Sequence, residues 1–121
     1  MKILFDHSTP RQLRPYLTPP HNVILAKERG WAEYRNGDLP RVAEPEGFDI
    51  VVTTDQNWQH QQQLTGRRLA IVVLLTNHRP TLMSQADKVL AAVNVIRPGE
   101  YVEVSFTMLP RRRRNRQRST S

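Results

Sequence analysis

The stretch Asp49–Trp58, with the sequence DIVVTTDQNW, decides how the rest of the chain is interpreted. Its first half, Ile50 to Thr53, is a run of β-branched residues, which is typical of a short buried strand. The run ends in polar residues around one carboxylate, Asp55. In open α/β sheets, ligands bind just beyond the carboxyl ends of the parallel strands. Asp55 therefore lies where such a sheet would place a functional acid.

Four further segments have the composition of strands, namely residues 2–6, 21–26, 69–75 and 101–106. Residues 69–75 are continuously apolar, which indicates burial on both faces in the centre of a parallel sheet. Residues 101–106 alternate between apolar and polar side chains, which predicts a half-exposed edge strand. Together with the opening stretch, these four segments give five predicted strands.

Helix patterns fill the four intervals between these strands. Thr9 and Pro10 form a helix start with Thr9 at the N-cap, and Pro15 is expected to kink the helix that follows. The other predicted helix starts are Asp38, Asp55 or Asn57, and Arg79, the last opening a longer helix. The alternation of strands and helices predicts an α/β fold, a three-layer α/β/α sandwich around a mostly parallel sheet of four to five strands.

The length of 121 residues predicts one domain, which we place at residues 1–109, followed by a tail at residues 110–121. Six of the seven net positive charges come from arginines in that tail. Without its six arginines the chain has 12 basic and 11 acidic residues, a balance of +1. The tail is predicted to be disordered, and it either binds nucleic-acid phosphates or keeps the protein soluble. The six arginines are Arg111, Arg112, Arg113, Arg114, Arg116 and Arg118.

The composition also excludes several classes of protein. The absence of cysteine excludes disulfide bonds and thiolate metal sites. No window is long and apolar enough to span a membrane, and the N-terminus does not resemble a signal peptide. We therefore expect a cytoplasmic protein without a membrane partner.

Two acids are predicted to meet at one edge of the sheet, because Asp6 and Asp55 each end a strand. If those strands are neighbours, their backbones lie about 4.8 Å apart. Asp38, at another helix start, is a third candidate. Grouped carboxylates repel each other unless a cation neutralises them or one holds a proton, and Mg²⁺ and Mn²⁺ prefer oxygen ligands. The alternative interpretation is that each acid caps a helix or a turn.

Several segments resemble those of the small bacterial PIN-like proteins. They are Ile3–Pro10 (ILFDHSTP), Gly37–Leu39, Gly47–Trp58 (GFDIVVTTDQNW) and Ala70–Leu75, and the third carries most of the likeness. The resemblance implies a PIN-like fold related to metal-dependent ribonucleases that often serve as toxins in toxin–antitoxin pairs. Such relatives commonly form homodimers.

Carried over by position, the resemblance makes Asp6, Asp38 and Asp55 catalytic acids that bind Mg²⁺ or Mn²⁺, with Asn57 as a further carbonyl ligand. The chain departs from the family at two positions. His7 stands where many relatives have Glu, and Asn57 stands where many have Asp. Because Asn carries no charge, three carboxylates would bind a metal more weakly than four or five.

Two functions follow from these observations. The first is a metal-dependent endoribonuclease that cleaves RNA, with an antitoxin protein as a partner. The second is a non-catalytic PIN-like module that binds RNA or a partner protein. A phosphoacceptor receiver domain is disfavoured, because such domains normally have adjacent acids after the first strand and a lysine after a late strand. His7 is expected to be a surface side chain.

Overall fold

A computed structural model describes residues 1–34, 38–56 and 68–107 of the chain. Within these ranges five strands form one sheet in which every neighbouring pair is parallel. The strands are β1 (Lys2–Phe5), β2 (Asn22–Leu25), β3 (Ile50–Thr53), β4 (Ala70–Leu74) and β5 (Tyr101–Val104). The structure thus confirms the predicted α/β class with a parallel sheet.

The side chains of the central strands alternate between two apolar clusters, one on each face of the sheet. In β4, Ala70, Val72 and Leu74 belong to the first cluster, whereas Ile71 and Val73 belong to the second. The first cluster is completed by helices α1 (Arg14–Leu17), α3 (Arg79–Ser84) and α4 (Ala86–Val95), and the second by α2 (Leu39–Ala43). Helices therefore cover both faces, which explains why β4 is continuously apolar.

The strand order β2-β1-β3-β4-β5 determines where a ligand site is expected. The chain runs from β1 outward to β2 and then returns to β3 on the other side of β1. In doubly wound sheets, ligands bind in the crevice at the carboxyl ends of the strands where the order reverses. Here that position lies between β1 and β3, which pair in register with Phe5 opposite Val52. The residues that follow this pair, Asp6 and Thr53, are consequently neighbours.

The first connection differs from the predicted helix. It begins as a 3₁₀ helix, Arg11–Leu13, and continues as α1. Pro15 lies in the first turn of α1, where its missing N–H breaks no helical hydrogen bond, so it does not kink a helix interior. Thr9 does not act as an N-cap, since its hydroxyl lies within hydrogen-bond distance of Asp6 and of the Val52 carbonyl oxygen instead.

The predicted long helix from Arg79 is divided at Gln85, whose backbone leaves the helical region. The Gln85 side chain pairs with the backbone of Thr107: its Oε1 accepts from the Thr107 N–H at 3.0 Å and its Nε2 donates to the Thr107 carbonyl at 2.6 Å. The helix predicted to start at Asp55 or Asn57 falls largely outside the described residues. None of the helices described is sufficiently long and apolar to cross a membrane.

Two valines of α4 provide a matched test of this packing. Val93 is 0% exposed in the first cluster, whereas Val95, two residues further along α4, is 76% exposed. Because Val93→Ala removes two buried carbons and leaves a cavity, we expect it to lower the free energy of unfolding by about 2 kcal/mol. Val95→Ala should change it by less than about 0.5 kcal/mol. Urea denaturation measures both, and equal effects of the two variants would contradict the packing of α4.

Candidate functional site

The carboxylate of Asp6 is the buried polar centre at the carboxyl end of β1. The residue is 2% exposed. Its Oδ1 accepts hydrogen bonds from the Ser8 backbone N–H at 3.1 Å, the Ser8 hydroxyl at 2.7 Å and the Thr9 hydroxyl at 2.9 Å. Its Oδ2 accepts from the Thr53 hydroxyl. Oδ1 thus faces three donors for its roughly two lone pairs, and Oδ2 faces one.

The local sequence explains why the chain turns around this carboxylate. An Asp side chain readily accepts from the backbone two residues ahead, which is the Asx turn formed here by Asp6 and Ser8. The Thr9 N–H closes the turn by donating to the Asp6 carbonyl oxygen at 3.1 Å. The same loop contacts the end of β3, because the Thr54 N–H donates to the Ser8 hydroxyl at 3.1 Å. The loops that follow β1 and β3 are therefore joined by side-chain hydrogen bonds.

Thr53 links the two acids that were predicted to share this edge. Its hydroxyl donates to Asp6 Oδ2 and accepts from the Asp55 backbone N–H at 3.0 Å. Asp55 is partly buried and follows β3 by two residues. The structure thus places Asp6 and Asp55 on neighbouring strands, connected through one hydroxyl. The Thr-x-Asp pattern within Asp49–Trp58 contains both members of this link.

Asp38 is not part of that network. It directly precedes α2 as predicted, but its side chain makes no capping hydrogen bond and instead pairs with Arg41 at 3.1 Å. The pair is well exposed, so its contribution to stability is small. Over residues 1–34, 38–56 and 68–107, no three His, Cys, Asp or Glu side chains lie together in a group that could hold a metal ion. Asn57 and the six tail arginines fall outside the described residues.

The chemistry of Asp6 determines whether a divalent cation fits here. Three donors lie on Oδ1, whereas Oδ2 accepts from the Thr53 hydroxyl alone among the described residues, so Oδ2 is the oxygen with an acceptor position left for a cation. The Thr9 hydroxyl also lies 2.8 Å from the Val52 carbonyl oxygen, and its single proton serves one acceptor at a time. Mg²⁺ commonly uses one or two carboxylates and keeps several waters. Asp6 Oδ2 is therefore able to act as one ligand, whereas the described residues do not assemble a three-carboxylate group.

A cleft of about 600 Å³ adjoins Asp6 and is lined by the loops that follow β1, β2 and β4. Three cationic side chains line it, namely Arg11, Lys27 and Arg79, together with His7, which is exposed as expected. The sequence analysis missed these cations. A charge count of 12 against 11 shows a nearly neutral body, and it does not show that residues from three separate loops converge.

Comparison with known proteins gives no match for this chain among protein-family models, curated proteins or solved structures. The function is therefore inferred from the fold and from the side chains at the carboxyl ends of the strands. The PIN-like resemblance stays a prediction based on short motifs.

Asp6 and Asp38 allow a matched test of the network. Asp6→Ala removes the acceptor of four hydrogen bonds in a buried position, and hydrogen bonds to charged groups contribute about 1.5–3 kcal/mol each. We expect a loss of about 3 kcal/mol or more in the free energy of unfolding. Asp38→Ala removes one exposed ion pair and should cost less than about 1 kcal/mol. If urea denaturation gave the two variants equal stability, Asp6 would not tie the loops together.

Proposed function

We propose that this protein is a metal-dependent endoribonuclease of PIN-like type, in which Asp6 and Asp55 hold Mg²⁺ or Mn²⁺. The observation that supports the proposal most is the link from the Asp6 carboxylate through the Thr53 hydroxyl to the backbone N–H of Asp55, at the point where the strand order reverses. A divalent cation bound there supplies an activated water and offsets the charge that develops on a phosphodiester.

The neighbouring hydroxyls have distinct roles in this proposal. Thr53 fixes the orientation of the Asp6 carboxylate from the β3 side. Thr9 contacts both Asp6 Oδ1 and the Val52 carbonyl oxygen, so it holds the carboxylate beside β3. Ser8 holds the loop after β1 against Thr54, which keeps the carboxylate in place. Thr9 and Thr53 are thus positioning residues for Asp6.

The resemblance extends the proposal to a biological role. A PIN-like ribonuclease of this size would act as the toxin of a toxin–antitoxin pair, with RNA as its substrate and an antitoxin protein as its partner. A homodimer is the assembly that the same resemblance favours.

Cleavage of labelled single-stranded RNA tests the nuclease directly. We expect cleavage with Mg²⁺ or Mn²⁺, none with a chelator, and a loss of about a hundredfold or more in Asp55→Asn. That loss corresponds to the several kcal/mol that a bound metal supplies, at 1.36 kcal/mol per factor of ten. Asp55→Asn keeps the hydrogen bond to Thr53, because that bond uses the backbone N–H of residue 55.

Asp38→Asn is the matched control for that experiment. Its side chain pairs with Arg41, so a site made by Asp6 and Asp55 predicts an unchanged cleavage rate. Cleavage that persists with a chelator or in Asp55→Asn would contradict the proposed nuclease. Loss of cleavage in Asp38→Asn would instead support the three-acid site predicted from the sequence.

A non-catalytic RNA-binding module is the second candidate, and the hydrogen bonds that hold the Asp6 carboxylate without a cation favour it. In that case RNA binding survives Asp55→Asn and is weakened when residues 111–118 are deleted, because the deletion removes six arginines that would neutralise phosphates. A titration of labelled RNA at increasing salt measures both effects. Binding that is unchanged by the deletion would contradict a role for the tail in this module.

A further inference from the structure

The cleft beside Asp6 has an excess of positive charge that the fold assembles from three loops. Arg11 begins the 3₁₀ helix that follows β1, Lys27 lies in a 3₁₀ helix, Ala26–Arg29, that follows β2, and Arg79 begins α3 after β4. These three residues are called the cleft cations below. Asp6 is the sole acidic residue among the described residues that line the cleft, so three cations face one carboxylate.

No ion pair joins a cleft cation to a carboxylate within the described ranges, unlike several arginines elsewhere on the surface. Those others form the pairs Arg14–Glu28, Arg29–Glu46 and Arg41–Asp38. Arg14 donates two hydrogen bonds to Glu28, at 3.2 and 2.9 Å, and thereby lowers the pKa of that carboxyl group, to which Lys27 adds a weaker, longer-range attraction. The hydrogen bonds to the Asp6 carboxylate come from Ser8, Thr9 and Thr53 and from none of the cleft cations.

A phosphate group has the chemistry that such a cleft recognises. Guanidinium groups bind phosphate oxygens through paired hydrogen bonds, and an ammonium group adds a compact charge. The side-chain amide of Asn77, another lining residue, adds a neutral donor. The volume of about 600 Å³ lies in the usual range of ligand sites.

The position of the cleft suggests the source of the phosphate. Asp6 borders the cleft and also belongs to the network that reaches Asp55. A strand that crosses the carboxyl edge of the sheet would therefore bring one phosphate to the acids and a neighbouring one to the cleft.

We propose that the cleft binds a backbone phosphate of single-stranded RNA through Arg11, Lys27 and Arg79. The choice of RNA as the source of the phosphate rests on the proposed function, whereas the choice of phosphate rests on the cleft cations. The same cations would recognise the phosphate of a free mononucleotide, and the experiment separates the two sources.

Binding of a short labelled single-stranded RNA by the full-length protein, followed by fluorescence anisotropy in the presence of a chelator, tests the proposal. The variants are Arg11→Ala, Lys27→Ala and Arg79→Ala. Each should bind about fivefold more weakly at about 0.1 M salt. Because the three cations share one phosphate, the variant that lacks all three should lower the slope of log K against log salt by about 0.7, which is the effect of one phosphate on a single strand. All three side chains are exposed, so the urea midpoints should not change.

Arg97→Ala is the matched control. It removes the same charge as the arginine variants, but Arg97 follows α4 and lies with Met1 and Asp49 at the amino ends of the strands. We expect its RNA affinity and salt slope to equal those of the unmodified protein. If the three cleft variants behaved like Arg97→Ala, the proposal would be overturned.

A second arm titrates a labelled ribonucleoside monophosphate against the same variants. Weak mononucleotide binding beside strong, cleft-dependent RNA binding supports the proposal. Tight mononucleotide binding that the cleft variants abolish, with RNA binding unaffected, identifies a mononucleotide site and overturns it.

These titrations do not depend on cleavage, so the two proposals fail separately. Cleft-dependent binding without any metal-dependent cleavage overturns the nuclease and leaves the phosphate site. If cleavage needs Asp55 but RNA binding is unchanged in the cleft variants, the phosphate site is overturned and the nuclease stands.

Discussion

A carboxylate that is removed from water must find its hydrogen bonds inside the protein, and Asp6 finds four of them within two loops. The donors come from the turn after β1 and from the end of β3, which are neighbouring strands. This requirement fixes the path of the chain as it leaves the sheet. The position of Asp55 and the wall of the cleft both depend on it, since Thr53 holds the Asp55 backbone and Asp6 borders the cleft.

Asp6 is the centre of a hydrogen-bond network in which its two oxygens are not equivalent. Oδ1 faces three donors, one of which, the Thr9 hydroxyl, can give its proton to the Val52 carbonyl oxygen instead. Oδ2 accepts from the Thr53 hydroxyl alone among the described residues. The network accounts for Asp6 as the centre of a turn, whereas its binding of a metal stays a proposal, which would use Oδ2.

Much of the fold could be predicted from short-range patterns. The β-branched run at Ile50 to Thr53 and the apolar run at residues 69–75 identify β3 and β4, because burial on both faces leaves no polar alternation. The alternating segment at residues 101–106 is the edge strand β5. Helix ends were harder to predict, since they depend on tertiary partners. Gln85 divides the predicted long helix by pairing with Thr107, which is distant in sequence.

The residues of the candidate site also divide into those that short-range patterns predict and those that depend on the three-dimensional fold. Asp6 and Asp55 were predictable, because each follows a strand and strand ends meet at one edge of a parallel sheet. Asp38 was predicted from its place at a helix start and from the PIN-like resemblance, but its position before α2 does not determine that its side chain pairs with Arg41. The cleft cations were missed, because their convergence depends on the spatial order of β1, β2 and β4 and not on spacing along the chain.

The most direct measurement of the central claim is a crystal structure with Mn²⁺ and an anomalous difference map. The account predicts a peak in contact with the Asp6 and Asp55 carboxylates. A map without a peak at this edge, at Mn²⁺ concentrations that support RNA cleavage, would contradict the account.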